Sequence, residues 1–449
     1  MKIHMIGIGG AGMSGVAEVL KNRGHTVTGS DLKESPYTRR LREVGITVYI
    51  GHAAHQVGDA AQVVISSAIP KTNTELLEAR RRSIQVISRA AALASFLEGA
   101  CGIAVAGTHG KTTTTSMTTH VLKTLGDDPT ALVGGELNDI GSNVLFGRAD
   151  LVIAEADESD RSFLYLRPQA AIVTNVEFDH PDFYASLDDV VETFSKFVAS
   201  LPADGHLVIC ANDPSCSRLI AEASCPITTY GIPAGDLTAE ILTPNSYVLS
   251  ENGVERGVVE LGVCGRHNVL NSLASAAMAR WLGHDAYKAA LTLKDFSGVR
   301  RRFQLKGERA EVRVVDDYAH HPTELSATLD AARATMPSGG RVIAVFQPHR
   351  YSRTRRLYRE FGEAFASADA VFVTEVYGAG EMPQPGVNGK LIVDAICEVR
   401  DQPDVYYIPQ LDDVSRVLRN VSERGDVVLT LGAGDVSRTG EELLELLED

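Results

Sequence analysis

Residues 105–115 read VAGTHGKTTTT. The apolar run Gly102–Ala106 enters a glycine turn, and the helical pattern Lys111–Leu125 leaves it. A strand, a glycine turn and a helix in that order make an anion cradle. The first backbone N–H groups of the helix lack partners, and its dipole favours negative charge. The usual phosphate loop places a glycine six residues before its lysine. Here Val105 occupies that place, so Gly107, Thr108, His109, Gly110, Lys111, Thr112 and Thr113 form a tighter turn. Lys111 can reach the β- and γ-phosphates of a nucleotide, and the Thr112 hydroxyl can sit on Mg²⁺. A plain Gly/Thr helix start would have no use for the lysine.

Downstream, the apolar strand Leu151–Ala154 ends at Glu155, followed by Asp157 and Glu158. A carboxylate at such a strand end is placed to hold the metal of a phosphate loop. The next strand, Ala170–Thr174, runs into Asn175-Val176-Glu177-Phe178-Asp179-His180. His180 is a candidate ligand of a second metal, with Asn175 or Glu177 to orient it. Further strand signals lie at His206–Ile209, and residues 236–264 alternate like an antiparallel edge. Asn268 and Asn271 open the helix Asn268–Leu282, as plain caps or as readers of an adenine edge. A basic stretch, Val299-Arg300-Arg301-Arg302-Phe303, closes the segment.

Upstream, Gly7-Ile8-Gly9-Gly10-Ala11-Gly12 follows the strand pattern Ile3–Ile8 and precedes the helix pattern Ser14–Arg23. Asp31 ends the next strand, His25–Gly29 and its extension, where a carboxylate can take a ribose hydroxyl. Short apolar runs at Val48–Ile50, Val63–Ser66 and Val86–Ser88 complete a βαβ alternation. The third segment alternates likewise, with strands at Val312–Val315, Val342–Phe346, Ala370–Thr374, Val405–Ile408 and Val427–Leu431. Helices fit at Pro322–Ala334 and Arg355–Ala366. Its strand ends carry Asp316-Asp317-Tyr318-Ala319-His320-His321 and Gln347-Pro348-His349-Arg350-Tyr351-Ser352-Arg353. The turn Gly432-Ala433-Gly434-Asp435 receives no role. Alternation of this kind implies parallel sheets with crossover helices. The expectation is therefore an α/β protein of three domains: Rossmann-like over 1–96, a central P-loop ATPase-like mixed sheet over 97–302, and Rossmann-like over 303–449.

Bulk properties narrow the function. A length of 449 residues suits several cores rather than one. A formal net charge of −15 argues against a general nucleic-acid binder but not against a small anion. No apolar run approaches the ~20 residues of a membrane span, and no export signal opens the chain. The six cysteines form no CxxC pair, which fits reduced thiols in a cytoplasmic protein. A nicotinamide-linked dehydrogenase would explain Gly7–Gly12 and Asp31 but leave Lys111, Glu155 and His180 without work. A nucleotide-dependent binding module would need Lys111 but not His320, His349 and Arg350.

GTHGKT, EADESD, TNVEFDH, GRHN, RRF and DDYAHHPTE, in this order, resemble the Mur ligases of peptidoglycan synthesis. HMIGIGGAGMSGVAEVL, SSAI, FQPHRYSRT and VYGAGE resemble the branch that adds the first amino acid. The resemblance covers essentially the whole chain. It implies that ATP phosphorylates the lactyl carboxylate of UDP-N-acetylmuramate and that L-alanine attacks the acyl phosphate. By resemblance Lys111 holds the γ-phosphate, Thr112 and Glu155 hold one Mg²⁺, and His180 ligates a second. Asn268 and Asn271 resemble the adenine readers, Arg302 a nucleotide contact and Asp317 the ribose partner. His320, His349, Arg350 and Arg353 would line the gap where acyl phosphate and alanine meet. Gly9, Gly10, Ala11, Gly12, Asp31, His52 and Ser67 would hold the UDP end. A monomer or weak homodimer in the cytoplasm is implied. The alternative is a murein-tripeptide recycling ligase of the same fold. Lys196, where many family members carry a carbamoylated lysine, reads as an ordinary helix lysine. Ser88-Arg89-Ala90-Ala91-Ala92 is alanine-rich where the family pattern leads one to expect an acid.

Overall fold

A computed structural model describes residues 1–66, 68–138, 140–336, 339–399 and 403–447. Short apolar runs separated by amphipathic helices give three sheets, one after another along the chain. The first is parallel throughout, in the order Thr47–Ile50, Thr26–Asp31, Lys2–Ile6, Gln62–Ile65, Gln85–Ser88. Lys2 pairs with Thr26 on one side, and Ile3 pairs with Gln62 on the other. The strand order reverses beside Lys2–Ile6, and ligands of open α/β sheets bind at such a switch point. The glycine turn leaves the carboxyl end of that strand and enters the helix Ala11–Asn22.

The central sheet has ten strands. Cys101–Ala106 lies in its middle, parallel to Ala170–Val173 on one side and to Arg148–Glu155 on the other. Three strand ends therefore converge on the phosphate loop. Val105 has no exposed surface and pairs with Glu155 in the ladder. The strand itself thus occupies the place of the missing glycine, and the turn starts only at Gly107. The antiparallel edge expected over 236–264 is present as Leu237–Thr243, Ser246–Glu251 and Val254–Glu260. Pro129–Leu137 and Ser142–Leu145 are strands that the sequence pattern hid. Pro129 and the pair Gly134-Gly135 erase the alternation, and the register shifts between Leu132 and Leu137.

The third sheet runs Gln304–Arg309, Val312–Asp317, Val427–Leu431, Val342–Phe346, Ala370–Val373, Asp404–Tyr407. The first pair is antiparallel and the rest are parallel. Gln304–Arg309 is a polar edge strand (QLKGER) without apolar periodicity, which is why no sequence signal marked it. The helix expected over Arg355–Ala366 begins earlier, at Tyr351.

Apolar packing unites the first two units. One cluster runs from Ile3, Met5 and Val16 through Phe96 to Ile103 and Val152. The third unit keeps its own clusters on the two faces of its sheet. It meets the central unit through polar contacts, the subject of the next section. No helix among the described residues is long and apolar enough to cross a membrane.

Candidate active site between the central and third sheets

Gly107, at φ +139°, begins the loop, and a Cβ there would lie 1.9 Å from Thr174 Oγ1. Only glycine allows this approach, and the approach is used. Thr174 Oγ1 donates to His109 O (2.6 Å), Asn175 Nδ2 donates to the same oxygen (3.0 Å), and His109 N donates to Asn175 Oδ1 (2.8 Å). The loop is thus bolted to the end of the neighbouring strand. Gly110, at φ +80°, turns the chain into the helix Lys111–Leu125.

Lys111 Nζ donates to the carbonyls of Gly107 (2.6 Å) and Thr108 (3.0 Å) and pairs with Glu158 (2.7 Å). Burial alone would lower its pKa, but the carboxylates of Glu158, Asp157 and Glu155 hold it above the usual lysine value. Thr112 Oγ1 donates to Glu155 Oε1 (3.1 Å), and Gly134 N donates to Oε2 (2.7 Å). Burial pushes Glu155 up despite the Lys111 charge. Hydroxyl and carboxylate oxygens meeting here fit Mg²⁺, a hard cation that takes oxygen ligands. His180, at φ +54°, faces Glu158 and Asp179, each at 3.6 Å. Asn175 and Glu177, expected to orient it, instead turn to the phosphate loop. Asn175 is the first residue after Thr174, so its side chain reaches the adjacent turn and not the more distant histidine. The Lys196 side chain lies on an exposed helix face in an i,i+4 pair with Glu192.

Two adjoining cavities share this loop. One of about 370 Å³ is lined by Gly110, Thr113, Asn268, Asn271, Arg302 and Asp317. Asn271 Nδ2 donates to Asn268 Oδ1 (3.2 Å), and Thr114 Oγ1 donates to Asn271 Oδ1 (3.0 Å), so the two amides are locked against the phosphate-loop helix. Asp317 accepts from Phe303 N (2.8 Å) and Ala319 N (2.7 Å), yet burial pushes its pKa up to about 6. The second cavity, about 880 Å³, is lined by Lys111, Thr112, Glu155 and His180 on one wall and by His320, His349, Arg350 and Arg353 on the other. Ala11, from the first glycine turn, reaches the same space.

The third unit supplies its wall through ion pairs. Arg353 Nε and an Nη donate to both oxygens of Asp179, at 3.0 and 3.1 Å, and both side chains are buried. Burial opposes charge on Asp179, but Arg353 holds its carboxyl far below the usual range. Arg350 donates to Asp182 (2.9 Å). His349 Nδ1 accepts from Arg353 (3.2 Å), so its Nε2 carries the proton. Burial lowers it to about 3, helped by the nearby His320 and arginines. His320 Nδ1 donates to Tyr318 O (2.9 Å), leaving Nε2 as an acceptor, and burial lowers it to about 4. His109 stands between Glu324 (3.2 Å) and Glu177 (3.4 Å). Burial would lower its pKa, but hydrogen bonds to Glu177 and Glu324 raise it to about 10. Thr323 Oγ1 adds a bond to Glu177 (2.7 Å).

At the first sheet, Asp31 Oδ2 accepts from Gly9 N (2.8 Å), so the expected ribose carboxylate also fixes the glycine turn. Gly10 stands at the start of the helix and Gly12 packs against Arg89. Arg89 pairs with Asp157 of the central unit (3.2 Å). His52 lies beside Ser30 and Glu75. Ser67 lies outside the described residues. Sequence reading gave no role to Glu158, Asp179 or Glu324. Each was visible only as an acid in a strand-end motif, without its distant partner. The Gly432–Asp435 turn gains a use, because Arg301 donates to Gly432 O (2.7 Å) and Gly434 O (3.1 Å).

Comparison with known proteins bears on this architecture. Three family models match in sequence: the Mur ligase family catalytic domain over residues 2–100, the Mur ligase middle domain over 105–279 and the Mur ligase glutamate ligase domain over 301–434. The chain is 71% identical over 447 residues to the UDP-N-acetylmuramate–L-alanine ligase of Rubrobacter xylanophilus, covering all of both chains. It is 46% identical to the enzyme of that name from Pelotomaculum thermopropionicum, covering 100% of this chain and 98% of that one. The crystal structure of the UDP-N-acetylmuramate–alanine ligase of Thermotoga maritima superposes with a TM-score of 0.84 at 32% identity, covering 99% and 98% of the two chains. A murein peptide ligase from Psychrobacter arcticus gives 0.74 at 25% identity, covering 100% and 99%. The chain belongs to the Mur ligase family.

Proposed function

We propose that this protein is an ATP-dependent ligase joining L-alanine to the lactyl carboxylate of UDP-N-acetylmuramate, the first amino-acid addition in peptidoglycan precursor synthesis. One observation carries the reading: a phosphate loop faces a wall of histidines and arginines across a single cavity, in a chain 71% identical throughout to a ligase of that name. Amide formation from a free carboxylate is uphill in water, and phosphoryl transfer supplies the leaving group. Residues 1–96 hold the UDP end, 97–302 hold ATP, and 303–449 close over both.

Lys111 and the loop N–H groups bind the β- and γ-phosphates, and the amides of Asn268 and Asn271 with Asp317 hold the nucleoside. Thr112 and Glu155 would hold Mg²⁺, and His180 would hold a second ion. Bound there, these ions neutralise charge on the transferring phosphoryl group. The transferred group leaves ADP and forms an acyl phosphate on the substrate carboxylate. His320, neutral because burial lowers it to about 4, accepts a hydrogen bond from the incoming amine through Nε2. Arg350 and the Nε2–H of His349 face the oxyanion of the tetrahedral intermediate, which expels phosphate. Positioning and charge neutralisation supply most of the acceleration. The six free cysteines support a cytoplasmic location.

The test is phosphate release with ATP, Mg²⁺ and UDP-N-acetylmuramate, comparing L-alanine, glycine, L-serine and the murein tripeptide. Release that needs both UDP-N-acetylmuramate and L-alanine is expected. Release with the tripeptide alone would move the protein to the recycling branch, which the lower identity supports less.

A further inference from the structure

The carboxylate of Glu75 has no part in the reaction described above. It lies in the first turn of the helix Thr74–Arg81, where Asn73 caps the backbone. A helix dipole favours an acid there but does not explain complete burial, and Glu75 has no exposed surface. Its partners do. Ser30 Oγ donates to Glu75 Oε2 (2.5 Å), His52 Nδ1 lies 2.9 Å from the same oxygen, and His4 Nε2 lies 3.4 Å from Oε1. Ser30 and His4 are also fully buried, whereas the His52 side chain keeps 13% of its surface. Burial alone would raise the Glu75 pKa, but nearby His4 and the bonds from Ser30 and His52 outweigh it and hold it below the usual glutamate value.

Hydrogen counting then fixes a tautomer. Ser30 has one hydroxyl proton and gives it to Glu75, and the carboxylate has none to give. The proton between His52 and these oxygens therefore sits on His52 Nδ1, also 3.1 Å from Ser30 Oγ. In the form whose single proton sits on Nδ1, Nε2 offers a lone pair, and it makes no hydrogen bond among the described residues. Ser30 and Asp31 end one strand. Ser30 O accepts from Gly7 N (2.8 Å) and Ile8 N (3.0 Å), and Asp31 O accepts from Gly51 N (2.7 Å), next to His52. The network thus ends at the glycine turn.

We propose that Glu75 is a positioning residue for the nucleotide sugar: it holds His52 in its Nδ1–H form so that Nε2 accepts a hydrogen bond from the nucleoside. The donor is a ribose hydroxyl or the uracil imide N–H. This rests on the reading that the first unit holds the UDP end of the substrate. Partners that fix the tautomer of a metal-ligating histidine matter about 10- to 100-fold, and a loss of that order is expected for the same device here.

Nitrogen-15 NMR of histidine-labelled protein, with His52 assigned from a His52→Gln variant, tests it without disturbing the fold. The Nδ1–H tautomer is expected, with the Nε2 resonance moving on addition of UDP-N-acetylmuramate. The Nε2–H tautomer in the wild-type protein would overturn the role of Glu75. A correct tautomer whose resonances do not move at saturating substrate would instead overturn the placement of the nucleotide. In kinetics, Glu75→Met, similar in length but without an acceptor, is expected to raise KM for UDP-N-acetylmuramate at least tenfold. KM for ATP and kcat should stay unchanged, and Glu75→Gln should recover most of the loss. An unchanged KM in a folded Glu75→Met protein would refute the proposal. Binding of 2′-deoxy-UDP, 3′-deoxy-UDP and N3-methyl-UDP identifies the donor, and loss of affinity by none of the three would also refute it.

Discussion

Lys111 and Glu158 form a buried pair whose halves depend on each other, with side chains 13% and 2% exposed. Lys111→Ala should abolish ATP-dependent phosphate release, a loss of at least a thousandfold in the coupled assay. It should also cost about 3–5 kcal/mol of stability, because it strands the Glu158 charge. Adding Glu158→Gln should restore much of the melting temperature but none of the turnover. Asp317 gives a pH signature. Burial raises its native pKa to about 6, above the usual aspartate value of 3.8. The native state therefore takes up this proton first as pH falls. Its ionised form burdens the fold above pH 6, and that burden is relieved toward pH 4. ATP binding runs the other way, because a protonated carboxyl is a poorer acceptor for the ribose. KM for ATP should rise as pH drops from 7 to 5, and Asp317→Asn should have a high, flat KM over that range.

The helix Lys111–Leu125 is built from poor helix formers, KTTTTSMTTHVLKTL, and its buried hydroxyls find partners. Thr115 donates to Lys111 O (2.8 Å) and Thr119 to Thr115 O (2.7 Å), while Thr118 reaches Ser275 Oγ (3.1 Å) on the helix Arg266–Trp281. A second element, the helix Pro322–Thr335, meets His109 of the loop through Glu324 and Glu177 of the neighbouring strand end through Thr323. His109, raised to about 10, contributes fully below its unfolded pKa near 6.5 and loses its contribution as pH rises through 10. Glu177, held down to about 2 because the bonds from His109 and Thr323 overcome burial, contributes above about pH 4.5 and fails as pH falls toward 2. The clasp contributes in full only between about pH 4.5 and 6.5, and its contribution declines steadily from there as pH rises toward 10. Glu324→Gln should raise KM for ATP about tenfold. A double-mutant cycle with His109→Asn, read from ATP binding, should give a coupling of about 1–3 kcal/mol.

At the scale of the molecule, the first two units share an apolar core and the third does not. The third unit is held by directional polar contacts, the kind of interface across which domain motion is expected. Arg353 to Asp179 is the most deeply buried of these. Arg353→Ala should cut phosphate release at least a hundredfold. It should also enlarge the radius of gyration in small-angle scattering and split thermal unfolding into separate transitions for the third unit and the rest. An unchanged scattering curve and a single transition would count against a hinged third unit.

Local chemistry was legible in the chain itself. The order of strands and helices, the glycine turns, Lys111 with Thr112, and Glu155 at a strand end follow from periodicity and from what each residue type can do beside a phosphate. Strands that carry no apolar alternation, Pro129–Leu137 and Gln304–Arg309, were not legible, because only pairing with a neighbour makes them strands. The partners of charged groups were equally hidden. Nothing in sequence joins Arg353 to Asp179, 174 positions away, or Glu324 to His109, 215 positions away. Sequence determines which groups stand at the carboxyl ends of strands. The tertiary structure decides which of them face one another, because charge pairing acts through space and the sheet order, not the chain order, sets the distances.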